Sequence, residues 1–303
     1  CNTIIEKMKN GIKNKVTLYK KTTDKMIENI NNILKLKSYR HKKKHKLTDK
    51  LNKQYSVIPI ARNSKNNNSI QCDISNSILL LDALNKYKPN VIINCAAKVD
   101  FSSDNNFAQY QINALSPAIM ASWCVENNAH LLQTSGSIVN GNTATIFNTQ
   151  SIEAPINYYG QTKLLADNAI KLSGCQYSII RFGGIFGANG PTHLGINNAI
   201  INAKIGIVPT VVGEGKALRN YIHVQDAANL LIYCIENQIT GLHYAGSHQS
   251  VSIAQMLTDI CDVYLGEKEP LYKSGSEAID QITEVSNNLP QVLSFKEALV
   301  KYK

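Results

Sequence analysis

The segment Ala129-His130-Leu131-Leu132-Gln133-Thr134-Ser135 is an apolar run that ends in a hydroxyl, and the segment Tyr159-Gly160-Gln161-Thr162-Lys163 follows it. Residues four positions apart in a helix lie on one face, about one turn from each other. An ammonium beside a phenol favours the phenolate, so we expect Lys163 to lower the pKa of Tyr159 below its usual value of about 10. A strand that ends at Ser135 and faces such a helix predicts a proton-transfer site. The alternative is chance, because Tyr-x-x-x-Lys occurs in many helices.

Strand and helix patterns alternate along the chain from Tyr55 onward. The strand candidates are 55–62, 69–74, 91–97, 129–134 and 176–181. The helix candidates are a segment capped by Asn76, residues 116–126, the segment around Tyr159 and residues 253–264, which Ser252 caps. This alternation predicts an α/β fold with a Rossmann-like, doubly wound parallel sheet. Ligands on such sheets lie beyond the carboxyl ends of the strands. The predicted strand ends are at Asp73, Ala96, Ser135 and Gly183.

The net charge of +10 arises in the first 50 of the 303 residues, which carry 15 Lys and Arg against 4 Asp and Glu, while the remainder carries 17 against 18. A basic leader of this kind either touches nucleic acid or anionic lipid, or is simply solvated. We favour the second interpretation, because the leader lacks the interleaved aromatic residues of single-strand binders. The chain has no apolar stretch of the roughly 18 residues that a membrane span needs. Its seven cysteines are scattered without a Cys-x-x-Cys pair, so no metal site is predicted and reduced thiols in the cytoplasm are expected.

Glycine is missing where a doubly wound nucleotide-binding fold needs it. Such a fold places a strand and a glycine-rich turn before its first helix, and the turn lets a pyrophosphate approach backbone N–H groups. The candidate position here is 33–44, yet no glycine occurs between Gly11 and Gly136. We therefore hypothesise a damaged or frame-shifted start of the chain. Translation of the gene in the other two frames tests this idea.

A group of motifs from about residue 47 to 265 resembles the extended short-chain dehydrogenase/reductases, in particular the NAD-dependent epimerase/dehydratase family that modifies nucleotide sugars. The motifs are Cys72-Asp73-Ile74, Asn94-Cys95-Ala96-Ala97, Thr134-Ser135, Tyr159-x-x-x-Lys163, Arg181-Phe182-Gly183-Gly184-Ile185-Phe186-Gly187 and the segment from Gly213-Glu214-Gly215 to Asp226. Each motif is weak singly, but their order and spacing together are specific.

The resemblance implies roles for the matching positions. The implied catalytic residues are Ser135, Tyr159 and Lys163, with Tyr159 as the acid/base. The implied cofactor-binding residues are Arg62, Asp73, Ile74, Ala96, Ala97, Lys98, Tyr159, Lys163, Phe182 and Gly183. The implied substrate-binding residues are Ser135, Gly184 and Arg219, the last of which suits a diphosphate because it is a forked cation. An exposed surface ion pair is the alternative for Arg219. We expect Asn113 to support the backbone of the site.

Two further departures from the family pattern bear on the reaction and the cofactor. Gly136-Ser137 stands where the 4,6-dehydratases carry an Asp-Glu pair, so water elimination lacks its acid and base. Arg62 closes the second predicted strand in place of a carboxylate, which favours NADP, with NAD as the alternative.

The sequence therefore predicts an NAD(P)-dependent epimerase or reductase acting on a nucleotide sugar, with a sugar 4-ketone reductase as a variant. A non-catalytic relic of the same fold, unable to bind dinucleotide, is the alternative. We predict a basic leader at 1–46, a cofactor-binding domain at 47–187 and a smaller substrate lobe at 188–303, from which 219–245 returns to the cofactor domain. We also expect a cytoplasmic protein that binds no specific nucleic acid, and a homodimer in line with the resemblance.

Overall fold

Four parallel strands form the central sheet of the protein. The computed structural model describes residues 57–62, 70–100, 106–187, 190–192, 194–266 and 268–303, so the predicted leader at 1–46 and the candidate glycine-turn position at 33–44 lie outside the described residues. The sheet has the order β11-β6-β4-β3, and its strands are β3 (Val91–Asn94), β4 (His130–Gly136), β6 (Gln176–Phe182) and β11 (Gly241–Ala245). The register aligns Ser135 of β4 with Arg181 of β6. The carboxyl ends of these strands therefore meet at one edge, as the sequence predicted.

Helices cover both faces of this sheet. Successive strand residues point to opposite faces. Leu131 and Ile179 pack in one cluster with residues of the helices Ser77–Tyr87 (α1), Ser116–Asn127 (α3) and Tyr158–Ser173 (α4). Their neighbours Leu132 and Ile180 pack in a second cluster with residues of the helix Val224–Glu236 (α6). The predicted doubly wound α/β architecture is confirmed.

The remaining elements fill the described ranges in chain order. The other helices are α2 (Phe107–Tyr110), which continues into a π-helix (Gln111–Leu115), a 3₁₀ helix (Ser137–Asn140), α5 (Gly195–Lys204), α7 (Ile253–Leu265) and α8 (Phe295–Lys301). The other strands are β1 (Ile60–Ala61), β2 (Ile70–Gln71), β5 (Ile146–Phe147), β7 (Gly184–Phe186), β8 (Thr210–Val212), β9 (Leu218–Arg219), β10 (Tyr221–His223), β12 (Val251–Ser252), β13 (Leu271–Lys273) and β14 (Ile282–Thr283).

A separate apolar cluster forms in the C-terminal part of the chain. It joins α5, α7 and α8 through buried residues such as Ile200, Ile260 and Leu299, together with Phe186 of β7 and Tyr221 of β10. Phe186 and Tyr221 lie edge to face, with ring centroids 6.5 Å apart. Because β7 follows directly after β6, this cluster is tied to the carboxyl-terminal edge of the central sheet.

The helix caps agree with the sequence prediction, whereas three strands are shorter than predicted. The Asn76 side chain accepts hydrogen bonds from the amides of the first turn of α1, and the Ser252 side chain caps α7 in the same way. Strand β3 ends at Asn94, three residues before the predicted end. Within the described residues, β1 covers only Ile60–Ala61 of 57–62, and β2 covers only Ile70–Gln71 of 70–74. At the end of β3, the Asn94 side chain accepts the Ala96 amide at 3.1 Å, which turns the chain out of the sheet.

Within the described ranges, none of the helices combines the length and the apolar character that crossing a membrane would require. The six cysteines in these ranges are free thiols, and all but Cys95 are buried.

Candidate active site

A large cavity lies beyond the carboxyl ends of β4 and β6. Its volume is about 1160 Å³. The cavity is lined by all of the predicted catalytic and substrate residues, namely Ser135, Tyr159, Lys163, Gly184 and Arg219. The fold thus brings together side chains from a strand end, a helix and a later strand. This edge of a parallel sheet is where ligands of doubly wound folds bind.

Lys163 is a buried cation on the floor of the cavity. Its side chain lies in α4 and is 2% exposed, and its Nζ donates to the carbonyl oxygen of Thr134 at 2.6 Å. Burial lowers the pKa of Lys163, and the nearby Asp167 and Cys95 oppose that shift. The ammonium is therefore anchored at the end of β4, next to Ser135.

Tyr159 lies in the first turn of α4, one helical turn before Lys163. The turn is capped by Asn157, whose side chain accepts the Gly160 amide at 2.8 Å. Burial raises the pKa of Tyr159 to about 12, and the negative charge of Asp167 adds to the shift. Our expectation that Lys163 lowers this pKa is wrong in direction for the protein as it stands. Desolvation of the phenolate is the main cause of the rise.

The Ser135 hydroxyl is hydrogen-bonded to a buried carboxylate. Its Oγ donates to Oδ2 of Asp167 at 2.9 Å, and both residues are buried. The same Oδ2 accepts Nε of Arg181 at 2.9 Å and lies 2.9 Å from Nη2 of Arg181. The second oxygen of Asp167, Oδ1, is buried without a hydrogen-bond partner. Burial raises the pKa of Asp167, while Arg181, Lys163 and the Ser135 hydroxyl oppose the shift.

Arg181 links this carboxylate to the strands and loops around it. Its Nη1 donates to the Tyr244 hydroxyl at 2.9 Å, and that hydroxyl donates to Oδ1 of Asn140 at 2.8 Å. Its Nη2 donates to Glu153 at 2.5 Å. Arg181 is 1% exposed, and although burial alone lowers its pKa, the charge of Asp167 raises it on balance. The guanidinium therefore stays protonated and fixes four parts of the chain to one another.

The predicted cofactor residues divide into two groups by position. Ala97, Tyr159, Lys163, Phe182 and Gly183 line the cavity. Arg62, Asp73, Ile74, Ala96 and Lys98 are not among its lining residues, and all of them belong to the described part of the chain. The first group is at the end of the site where acid/base chemistry is expected, and the second extends toward the first strands of the fold.

The second group makes local contacts. The Asp73 carboxylate accepts the Ser75 amide at 3.0 Å and the Ser75 hydroxyl at 2.7 Å, and the carbonyl of Ile74 accepts the Ser116 hydroxyl at 2.7 Å. Lys98 Nζ donates to the Asn106 side chain at 2.9 Å. Arg62 is exposed directly after β1.

Asn113 supports the loop after β3. It lies in the π-helix and is fully buried. Its side-chain oxygen accepts the Lys98 amide at 2.7 Å, and its Nδ2 donates to the Lys98 carbonyl at 2.7 Å and to the Thr162 hydroxyl at 3.1 Å. These contacts connect the loop to helix α4, as the sequence predicted for this residue.

Glycine is required at the end of β6 by close packing. A Cβ on Gly183 would lie 2.7 Å from the carbonyl oxygen of Asn220, and a Cβ on Gly184 would lie 2.6 Å from the Tyr221 ring. Arg219, which also lines the cavity, donates through Nη1 to the carbonyls of Leu218 at 2.8 Å and Ile279 at 2.6 Å. The Nη1 group of Arg219 is therefore already hydrogen-bonded within the protein.

Sequence reasoning missed several members of the site. Asp167 stands four positions after Lys163 in the same helix, so the i+4 rule that selected Tyr159 and Lys163 also selects it. The apolar wall formed by Ile196, Met256 and Leu257, and the segment with Glu277, also line the cavity. These residues belong to separate elements, and no local pattern marks them.

Comparison with known proteins places the fold among nucleotide-sugar enzymes. The dTDP-4-dehydrorhamnose reductase of Mycolicibacterium smegmatis is 31% identical over 119 residues, 37% of this chain, so the match spans only about a third (35%) of that curated relative. The UDP-glucose 4-epimerase of Thermotoga maritima superposes with a TM-score of 0.70 at 17% identity and covers 84% of this chain and 92% of that one. The Bacillus anthracis dTDP-4-dehydrorhamnose reductase in complex with NADP has a TM-score of 0.65 at 22% identity, covering 76% and 85%.

These likenesses confirm the resemblance to extended short-chain dehydrogenase/reductases that the motifs indicated. The family model described as the RmlD substrate binding domain matches residues 45–264. Since that match spans well over half of the 303 residues, the chain belongs to the RmlD substrate binding domain family.

Proposed function

We propose that this protein is an NADPH-dependent reductase that converts a ketone on a nucleotide-linked sugar to an alcohol. The observation that carries the proposal is the common cavity of Ser135, Tyr159 and Lys163. The family and the name of the curated relative, dTDP-4-dehydrorhamnose reductase, support a substrate of this class.

The state of Tyr159 supports reduction. A phenol with a pKa of about 12 is protonated at neutral pH and is therefore ready to donate its proton to a carbonyl oxygen. The carbonyl oxygen takes this proton, and the phenol becomes a phenolate. The neighbouring Lys163 ammonium then stabilises the negative charge on Tyr159.

The residues at the cavity suit the reactive end of a dinucleotide. When bound, the nicotinamide ring supplies the hydride that the carbonyl carbon receives. Ala97 and Gly183 offer walls without bulky side chains, and Lys163 offers a buried cation. We assign Ala96, Lys98, Asp73, Ile74 and Phe182 to the rest of the cofactor site. Arg62 favours a 2′-phosphate, and hence NADP over NAD.

The substrate occupies the remainder of the cavity in this proposal. Gly184 lets the sugar approach the backbone, and Arg219 meets the diphosphate. Gly136 and Ser137 also line the cavity and carry no carboxylate, which argues against water elimination.

Turnover of NADPH with dTDP-4-dehydrorhamnose tests the proposal. We expect Tyr159→Phe to lower kcat roughly 100- to 10,000-fold, the range for loss of a general acid. Tyr158→Phe is the matched control, because it removes a hydroxyl from the preceding position of α4, which does not line the cavity. A Tyr159→Phe protein that keeps more than a tenth of the activity contradicts the assignment.

Epimerisation of a nucleotide sugar is the second candidate, favoured by the fold shared with the Thermotoga maritima epimerase. The two reactions differ in stoichiometry. A reductase consumes one NADPH for each alcohol formed, whereas an epimerase returns the hydride and shows no net consumption. Measuring the product together with the absorbance of NADPH distinguishes the reductase from the epimerase.

A non-catalytic relic is the third candidate, favoured by the absence of glycine between Gly11 and Gly136. A fluorescence titration with NADPH and NADH distinguishes it from an enzyme. Micromolar binding supports the enzyme, and no binding supports the relic. The division into a cofactor domain and a substrate lobe, the homodimer and the cytoplasmic location stay predictions.

A further inference from the structure

The Ser135 hydroxyl points its proton away from the cavity. A serine hydroxyl has one proton to donate and two lone pairs that accept. In the structure this proton goes to Oδ2 of Asp167 at 2.9 Å. The Ser135 oxygen, which lines the cavity, is left with lone pairs only.

The other contacts of the acceptor oxygen support this direction. Arg181 donates to the same Oδ2 through Nε at 2.9 Å and carries a permanent positive charge. Its Nη2 lies equally close, at 2.9 Å. An oxygen that receives this many donors acts as an acceptor, so the bond to Ser135 runs from the hydroxyl to the carboxylate. Asp167 is fully buried, which shields the bond from competition by water.

We propose that Asp167 is a positioning residue, which binds the Ser135 hydroxyl and so holds the Ser135 side chain in one orientation at the cavity wall. This inference rests on the proposed function and refines the roles within it. Without Asp167 the Ser135 side chain is free to turn, and it no longer meets the ligand in one fixed orientation.

The chain offers a matched control for this role in Glu153. Both carboxylates pair with Arg181, Asp167 through Oδ2 and Glu153 through Oε1. Only Asp167 also contacts Ser135 among the described hydrogen bonds of these two carboxylates. Loss of either removes one negative charge beside the guanidinium, but only loss of Asp167 releases the serine proton.

The experiment measures kcat for Ser135→Ala, Asp167→Ala, the double variant, Asp167→Asn and Glu153→Ala. We expect Asp167→Ala to lower kcat by up to about 100-fold, as misplacement of a reacting group does. The double variant should be no slower than Ser135→Ala alone, because Asp167 acts through Ser135. Asp167→Asn keeps an oxygen acceptor at the same position and should recover most of the loss, and Glu153→Ala should stay within about twofold of the unsubstituted protein.

Two results overturn the proposal: losses that multiply in the double variant, or a loss in Glu153→Ala equal to that in Asp167→Ala. If Asp167→Ala does not fold, Asp167→Asn replaces it, and kcat is measured for Asp167→Asn, for Ser135→Ala and for the variant that carries both substitutions. A urea-unfolding cycle on the same variants needs no turnover. Destabilisations that are less than additive support the Ser135–Asp167 bond, and additive ones reject it. An unsubstituted protein without turnover rejects the proposed function, and the unfolding cycle still decides whether Ser135 and Asp167 are coupled.

Discussion

Tyr244→Phe, which removes one buried hydroxyl, should clearly lower the free energy of unfolding of the protein. Tyr244 is fully buried in β11. Its hydroxyl accepts from Nη1 of Arg181 at 2.9 Å and donates to Oδ1 of Asn140 at 2.8 Å. Tyr244→Phe keeps the ring, over which the Arg181 guanidinium lies 5.5 Å from the centroid. The substitution therefore isolates the two hydrogen bonds from the packing.

The magnitude follows from the partners that lose a bond. A hydrogen bond to a charged group contributes about 1.5 to 3 kcal/mol, and a neutral one about 0.5 to 1.5 kcal/mol. Both partners are buried, so water does not replace the hydroxyl. We expect the free energy of unfolding to fall by roughly 2 to 4 kcal/mol. With a urea dependence of about 3 kcal/mol per molar, the midpoint falls by about 1 M.

Urea unfolding followed by circular dichroism measures this change. Tyr177→Phe is the control, because Tyr177 lies half-buried in β6 and its hydroxyl has no hydrogen bond among the described contacts. Its effect should stay within about 0.5 kcal/mol. A loss below about 1 kcal/mol for Tyr244→Phe, at unchanged urea dependence, would refute the view that Arg181 depends on this hydroxyl.

Three further predictions concern the end of β6, the C-terminal helix and the cofactor. Gly183→Ala should destabilise the protein by about 1 to 3 kcal/mol, since its Cβ would lie 2.7 Å from a backbone carbonyl oxygen. Gly136→Ala is the control and should be tolerated, because its Cβ would lie 3.7 Å from the nearest atom. Thermal unfolding compares the two variants. Burial raises the pKa of Asp226, whose Oδ1 accepts the Tyr302 hydroxyl at 2.7 Å. The Asp226 carboxyl therefore stabilises the fold fully below its unfolded pKa of 3.8, and this stabilisation is lost as pH rises through the folded pKa. Asp226→Asn should therefore gain stability relative to the unsubstituted protein as pH rises above that range, and parallel curves of unfolding free energy against pH would contradict this. Arg62→Ala should weaken NADPH binding about tenfold or more while NADH binding is unchanged, as measured by fluorescence titration. Equal losses for the two dinucleotides would exclude the 2′-phosphate contact.

Short-range patterns predicted the elements that carry the site. The Asn76 and Ser252 caps depend on a side chain and the amides two or three residues later, which are visible in a single stretch of sequence. The alternation of strands and helices depends on periodicity in the same way, and so does the i+4 spacing of Tyr159 and Lys163. The strand ends were less accurate. Strand β3 ends at Asn94 because a side chain there captures the amide that would have continued the strand.

The chemistry within the cavity depends on contacts between distant parts of the chain. The partner of Ser135 is Asp167, 32 positions later, and the partners of Arg181 come from a loop, a helix and a strand of the central sheet. The sequence alone predicted that Ser135, Tyr159 and Lys163 lie on neighbouring elements, because their positions depend only on the end of one strand and the spacing within one helix. The pKa of Tyr159 and the direction of the Ser135 proton follow from folding, since burial and buried charge are properties of the atoms that packing brings around a side chain.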